Sequence, residues 1–191
     1  MKQNLLFRAE KNSLVRIEDN LAFSTSELNA VSLEKAASGT AEIPSGKNTV
    51  TAVTVPWHSV ELEPGVYNEE ILAALRTYLK KLEDNGRFAF IVPKSEESLS
   101  DADSAGSFIS AMVHTARRIK DCESVIGFAL PEQFIRNDGS AGISADGYSR
   151  WFINEMNVKH SHYVYFADGA LMEQLHLDAE SSFNGLVLYR M

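Results

Sequence analysis

The sequence predicts an α/β fold in which parallel β/α repeats form an incomplete or small TIM-like barrel behind an N-terminal β-hairpin appendage. Three observations predict it. Residues 49–93 read as strand, loop, helix and strand, a βαβ unit that crosses over right-handedly into a parallel pair. Strand and helix signals then alternate to the C-terminus, which implies a parallel sheet with helices outside it. The five parallel strands that the sequence signals within 191 residues fall short of the eight strands and roughly 250 residues of a full barrel. One domain is therefore expected, with residues 1–45 as the appendage and 46–191 as the repeats.

Taken in order, residues 4–25 suggest two or three short strands. Leu14, Val15 and Ile17 alternate with Arg16 and Glu18, and Lys11-Asn12 and Asp19-Asn20 are turn signals. Residues 26–37 fit neither period, and 38–47 carry Ser38-Gly39 and Pro44-Ser45-Gly46, which mark a loop. Thr49–Val55 is uncharged and β-branched or apolar, as a strand buried on both faces requires, and Pro56 ends it because it cannot donate to a ladder. The helix that follows places Ile71, Leu72, Leu75, Tyr78, Leu79 and Leu82 on one stripe, with Asn68 as N-cap and Asn85-Gly86 as its stop.

Arg87–Pro93 is the next strand, and the acidic stretch 94–104 is a solvated loop leaving its C-terminal end. A second helix buries Phe108, Ile109, Met112, Val113, Ala116 and Ile119, capped by Asp103 or Ser104. Ser124–Leu130 is the third core strand and ends at Pro131-Glu132-Gln133. Within it, Gly127 is read as a site of close helix packing. A polar loop spans 136–145. A third helix, capped near Asp146, buries Tyr148, Trp151, Phe152 and Met156. Strands at 162–167 and 185–190 flank a helical turn at 170–177.

Composition bounds the function. A formal net charge of −8 argues against nucleic acid or an anionic membrane as main partner. No apolar run reaches the roughly 20 residues that cross a bilayer, and the first residues lack the apolar core of a signal peptide, so a soluble cytoplasmic protein is expected. Cys122 is the single cysteine, which excludes an internal disulfide and a thiolate zinc cluster. His160 and His162 form a His-Xaa-His pair that needs a third ligand such as Asp168 or His176 to hold a metal. No second ligand motif accompanies it, and neither metal nor cofactor is expected. Asn137–Gly142 lacks the lysine of a phosphate loop, and no serine sits in a nucleophile elbow.

The segment Val55-Pro56-Trp57-His58-Ser59-Val60-Glu61-Leu62-Glu63-Pro64-Gly65-Val66-Tyr67-Asn68, followed by a helix and Asn85-Gly86-Arg87-Phe88, resembles the (β/α)8 glycoside hydrolases of the cellulase and β-galactosidase type. The similarity covers residues 49–135. In that family the strand two repeats on ends in Asn-Glu, and the Glu is the general acid/base. Here Pro131-Glu132 stands there, so the resemblance implies Glu132 as acid/base and leaves the Asn position to a proline. The family's nucleophile lies on a strand beyond those found here, so the chain reads as a truncated or degenerate member.

Glycoside hydrolysis needs two carboxyl groups, about 5 Å apart for retention or roughly 6.5–9.5 Å for inversion. Asp168 closes a parallel strand on the same face and is the best second carboxylate, although Asp168-Gly169 also reads as a simple turn. Trp57 and His58 fall at that face as candidate sugar-holding groups, with the alternatives that Trp57 plugs the sheet and His58 is a solvated loop residue. The two expected functions are glycoside hydrolysis and non-catalytic binding of a glycan or protein partner. An incomplete barrel has open edges, which predicts a homodimer or larger assembly.

Overall fold

A computed structural model describes residues 5–10, 13–46, 48–137, 147–178 and 185–191. Three short strands, β1 (Phe7–Glu10), β2 (Ser13–Arg16) and β3 (Ala22–Phe23), form an antiparallel sheet in that order. The main sheet has six strands, one more than the sequence signals. They are β4 (Leu28–Ser32), β5 (Val50–Pro56), β8 (Phe88–Lys94), β9 (Val125–Ala129), β10 (Val164–Asp168) and β11 (Leu186–Tyr189), all parallel. A small ribbon, β6 (Glu61–Glu63) with β7 (Val66–Tyr67), projects after β5.

The spatial order of the main sheet equals its chain order, each strand laid beside the one before it. That is how a barrel grows, and the six strands curl into a half-barrel. The first repeat begins at Leu28, because β4 and the short helix α1 (Leu33–Ala37) belong to the sheet rather than to the appendage.

The helices α3 (Glu69–Asp84), α4 (Ala102–Ile119) and α6 (Tyr148–His160) cover the outer face. Their apolar stripes meet Val53 and Val55 of β5, Ala89 and Ile91 of β8, and Tyr165 and Ala167 of β10. Asn68 caps α3 as expected, accepting from Ile71 N at 3.2 Å. Asp101, two residues before the expected position, caps α4. Gly147 caps α6, and the cap expected near Asp146, like most of the loop expected at 136–145, lies outside the described residues.

The other parity of each strand points inward. Val50, Ala52, Phe90, Val92, Ile126, Val164, Phe166, Val187 and Tyr189 form a separate core, closed by Phe7, Leu14 and Phe23 of the antiparallel sheet. The N-terminal strands thus fill the concave face of the half-barrel. Phe7, Phe23 and Phe88 meet edge to face at 4.9–5.8 Å, and the Arg16 guanidinium lies over Phe23 and Phe88.

Thr25 then reaches the last strand. Its Oγ1 donates to Leu188 O at 2.6 Å, and its carbonyl accepts from Arg190 N at 3.3 Å. Gly127 answers to the sheet rather than to a helix, which corrects the sequence reading. A Cβ there would stand 1.8 Å from the Val164 carbonyl oxygen of β10. The pairing of β8 with β9 shifts register beside it.

Candidate functional site

Inward parity continued to the C-terminal ends of the strands delivers Thr54 from β5, Lys94 from β8, Asp168 from β10 and Tyr189 from β11. With Glu132 and Gln133 of the short helix α5 (Glu132–Asn137), they line a cavity of about 210 Å³ whose apolar wall includes Leu130, Ile135 and Leu171. A larger cavity, about 840 Å³, lies beside the starts of β4 and β5, away from these strand ends.

The structure brings Glu132 and Asp168 together. Leu130 N donates to Phe166 O at 2.7 Å, which fixes the approach to Glu132 against β10. Oε1 of Glu132 accepts from Nε and Nη2 of Arg136 at 2.9 and 2.8 Å. Asp168 caps the short helix α7 (Gly169–Gln174), its Oδ1 accepting from Leu171 N at 2.9 Å. Among the described residues, each carboxylate keeps its second oxygen free of hydrogen bonds. Gln133 Nε2 donates to Ser95 O at 2.8 Å, tying α5 to the loop after β8.

Tyr189 was legible only as a strand residue. Its ring is buried and stands edge to face on Phe90 at 5.0 Å. Burial, followed by the nearby charges of Asp168 and Glu132, pushes its phenol well above the ordinary value. The hydroxyl therefore stays protonated and is available to donate to a ligand beside two carboxylates.

Trp57 and His58 do not line this cavity. They open the short helix α2 (Trp57–Val60). The Trp57 ring is buried edge to face against Phe108 at 5.7 Å, and its Nε1 donates to Glu61. Glu61 also accepts from Gly65 N at 2.8 Å, so the indole anchors the β6–β7 ribbon. His58 is exposed, lies parallel to the indole, and pairs with Glu97 at 3.3 Å.

His160 and His162 stand with ring centroids 6.2 Å apart. Among the described residues, no three His, Cys, Asp or Glu side chains are grouped to hold a metal. Cys122 is buried, and burial pushes its thiol up to about 11, which suits a packing role. No helix among the described residues is long and apolar enough to cross a membrane.

No family model matches the chain, and no curated relative does. Solved structures do. The endo-glycoceramidase II of Rhodococcus sp. superposes with a TM-score of 0.57 as its lactosyl-enzyme intermediate and 0.56 in a cellobiose-like imidazole complex. Each is 10% identical, over 79% of this chain and 50% of that one. A GH5_18 protein from Bifidobacterium longum subsp. infantis matches with a TM-score of 0.46 and 12% identity, over 62% of this chain and 34% of that one. The chain thus spans half or less of the length of these structures. At such identity the likeness to the two endo-glycoceramidase structures shows the fold alone: this chain has the architecture of part of a (β/α) barrel.

Proposed function

We propose that the cavity at the C-terminal strand ends binds a carbohydrate. The observation that carries this reading is the convergence of Glu132, Asp168 and Tyr189, from three separate segments, on one concave site at the face where parallel α/β folds hold ligands. Two carboxylate oxygens that accept and a phenol that donates match the hydroxyls of a sugar ring. The cavity's size suits one ring rather than a chain of them. The solved glycoside hydrolases of the same architecture support the same class of ligand.

Binding without turnover is the reading that the local bonds favour, since Glu132 is clasped by Arg136 and Asp168 is used as a helix cap. Hydrolysis, with Glu132 as acid/base and Asp168 as the second carboxylate, is the alternative. Trp57 and His58 lie outside the lining of the cavity and enter neither reading as direct sugar contacts. The test is a titration of monosaccharides and short glycans against wild type, Glu132→Gln and Asp168→Asn, alongside aryl glycoside hydrolysis. Saturable binding weakened in both variants supports the proposal. Turnover lost in Glu132→Gln moves the reading to hydrolysis, and no binding of any sugar overturns it.

Self-association is proposed through the outer edge of β4, which among the described residues pairs only with β5. A single monomer mass in light scattering across micromolar concentrations overturns that part.

A further inference from the structure

The charges around the cavity do not match one another. Lys94 is the last residue of β8, two positions beyond the inward-facing Val92, and is the only cation among the described residues that line the cavity. Acidic groups are plentiful nearby in the fold, in a chain with 26 Asp and Glu against 18 Lys and Arg. Glu132, Glu97 and Asp168 each use one carboxylate oxygen on another partner. Glu132 holds Arg136 at 2.8 Å, Glu97 holds His58 at 3.3 Å, and Asp168 caps α7 through Leu171 N at 2.9 Å. Among the described residues, no carboxylate lies within 4.0 Å of a Lys94 nitrogen, and no hydrogen bond satisfies it. Among the same residues, the exposed Lys35, Lys81, Lys120 and Lys159 also lack a carboxylate partner, and Lys94 differs from them in lining a cavity. An ammonium left without a counter-charge at the mouth of a concave polar site is a place for a ligand's anion.

From this geometry we infer that the cavity takes an acidic sugar, a uronic acid residue whose carboxylate pairs with Lys94 while its ring hydroxyls meet the free oxygens of Glu132 and Asp168 and the phenol of Tyr189. The inference rests on the carbohydrate reading above and specifies its substrate class. The polarity of the site is divided, with two carboxylates on one side and the ammonium of Lys94 on the other. The site offers acceptors to the hydroxyls and one cation to the carboxylate. A neutral hexose would satisfy the first and leave the second unmatched.

The experiment titrates D-glucuronate, D-galacturonate, D-glucose and D-galactose into the full chain by NMR, for wild type, Lys94→Gln and Lys94→Arg, at low and at high salt. Lys94 is exposed, so both variants are expected to melt at the wild-type temperature. The expected result is a preference for the uronates of about five- to tenfold at low salt, reduced at high salt, lost in Lys94→Gln and kept in Lys94→Arg. Equal or tighter binding of the neutral sugars overturns the inference and leaves the carbohydrate reading standing. A uronate preference that survives in Lys94→Gln removes Lys94 from the recognition. No binding of any of the four overturns both.

Discussion

The two faces of the curled sheet are buried by different means. Outside, three amphipathic helices lay mixed aliphatic and aromatic stripes over β5, β8 and β10. Inside, the packing is aromatic and non-local. Phe90 stacks on Phe166 at 4.2 Å, Tyr189 stands on Phe90, and Phe7 and Phe23 close the concavity from the N-terminal strands. The outer face uses elements that follow each strand directly in the chain. The inner face depends on residues distant in sequence, and its polar end is the candidate site. The comparison teaches that the inner face of this half-barrel is buried by the antiparallel sheet, through Phe7, Leu14 and Phe23, rather than by the helices of its own repeats.

The largest expected effect tests the backbone contact that lets the sheet curl. Gly127→Ala puts a methyl group 1.8 Å from the Val164 carbonyl oxygen, so β9 and β10 must separate. The expected cost exceeds about 4 kcal/mol, read as loss of a cooperative thermal transition. Next, Phe90→Ala should cost about 3–5 kcal/mol in denaturant melts by emptying the inner core, and Leu79→Ala about 2–5 by emptying a helix contact outside. If Phe90→Ala costs less than 1 kcal/mol, the inner core is not the independent unit described.

A third prediction concerns acid. His160 is 3% exposed, and its Nε2 finds no partner among the described residues. Burial first, then His162, Lys120 and Lys159, lower its pKa from 6.5 to about 4. Between these values the unfolded chain binds the proton and the folded chain does not. Stability is therefore full above about pH 6.5 and falls by about 2–3 kcal/mol as pH drops toward 4. His160→Leu should flatten that limb of the stability curve measured by urea melts. The smallest effect is at a cap: Asn68→Ala should cost about 1 kcal/mol, enough to measure in the same melts, because Ile71 N loses its acceptor.

Much of the outer face was legible in the sequence. The stripe from Ile71 to Leu82 repeats at helical spacing, and the buried strands at 50–55 and 88–93 carry no charge, so short-range pattern was enough. β4 and α1 were not legible, because an edge strand half in solvent and a five-residue helix each carry too few buried positions to show a period. The inner face was half legible. Parity marks Phe88, Phe90 and Val92, but nothing local says that Phe7 and Phe23 complete their core.

The candidate site divides in the same way. Glu132 was read from the family resemblance and Asp168 from its place at a strand end, and both line one cavity. Tyr189 and Lys94 were missed, although inward parity carried to the strand ends would have found both. Trp57 and His58 were placed at the strand end by proximity in sequence, but the helical turn at 57–60 carries them away from the cavity and gives the indole to Glu61.

The bonds between Thr25 and the last strand set an order of events. Their partners lie 163 residues apart in the chain. On a ribosome adding about 5–20 residues each second, the partner of Thr25 emerges roughly ten to thirty seconds after it. The parallel repeats can assemble one beside the next during that interval, but the segment leading into β4 cannot dock against β11 until β11 exists. Closure of the curl is thus a late step, and until it occurs the inner Phe90 and Phe166 depend for cover on Phe7 and Phe23 of the N-terminal strands.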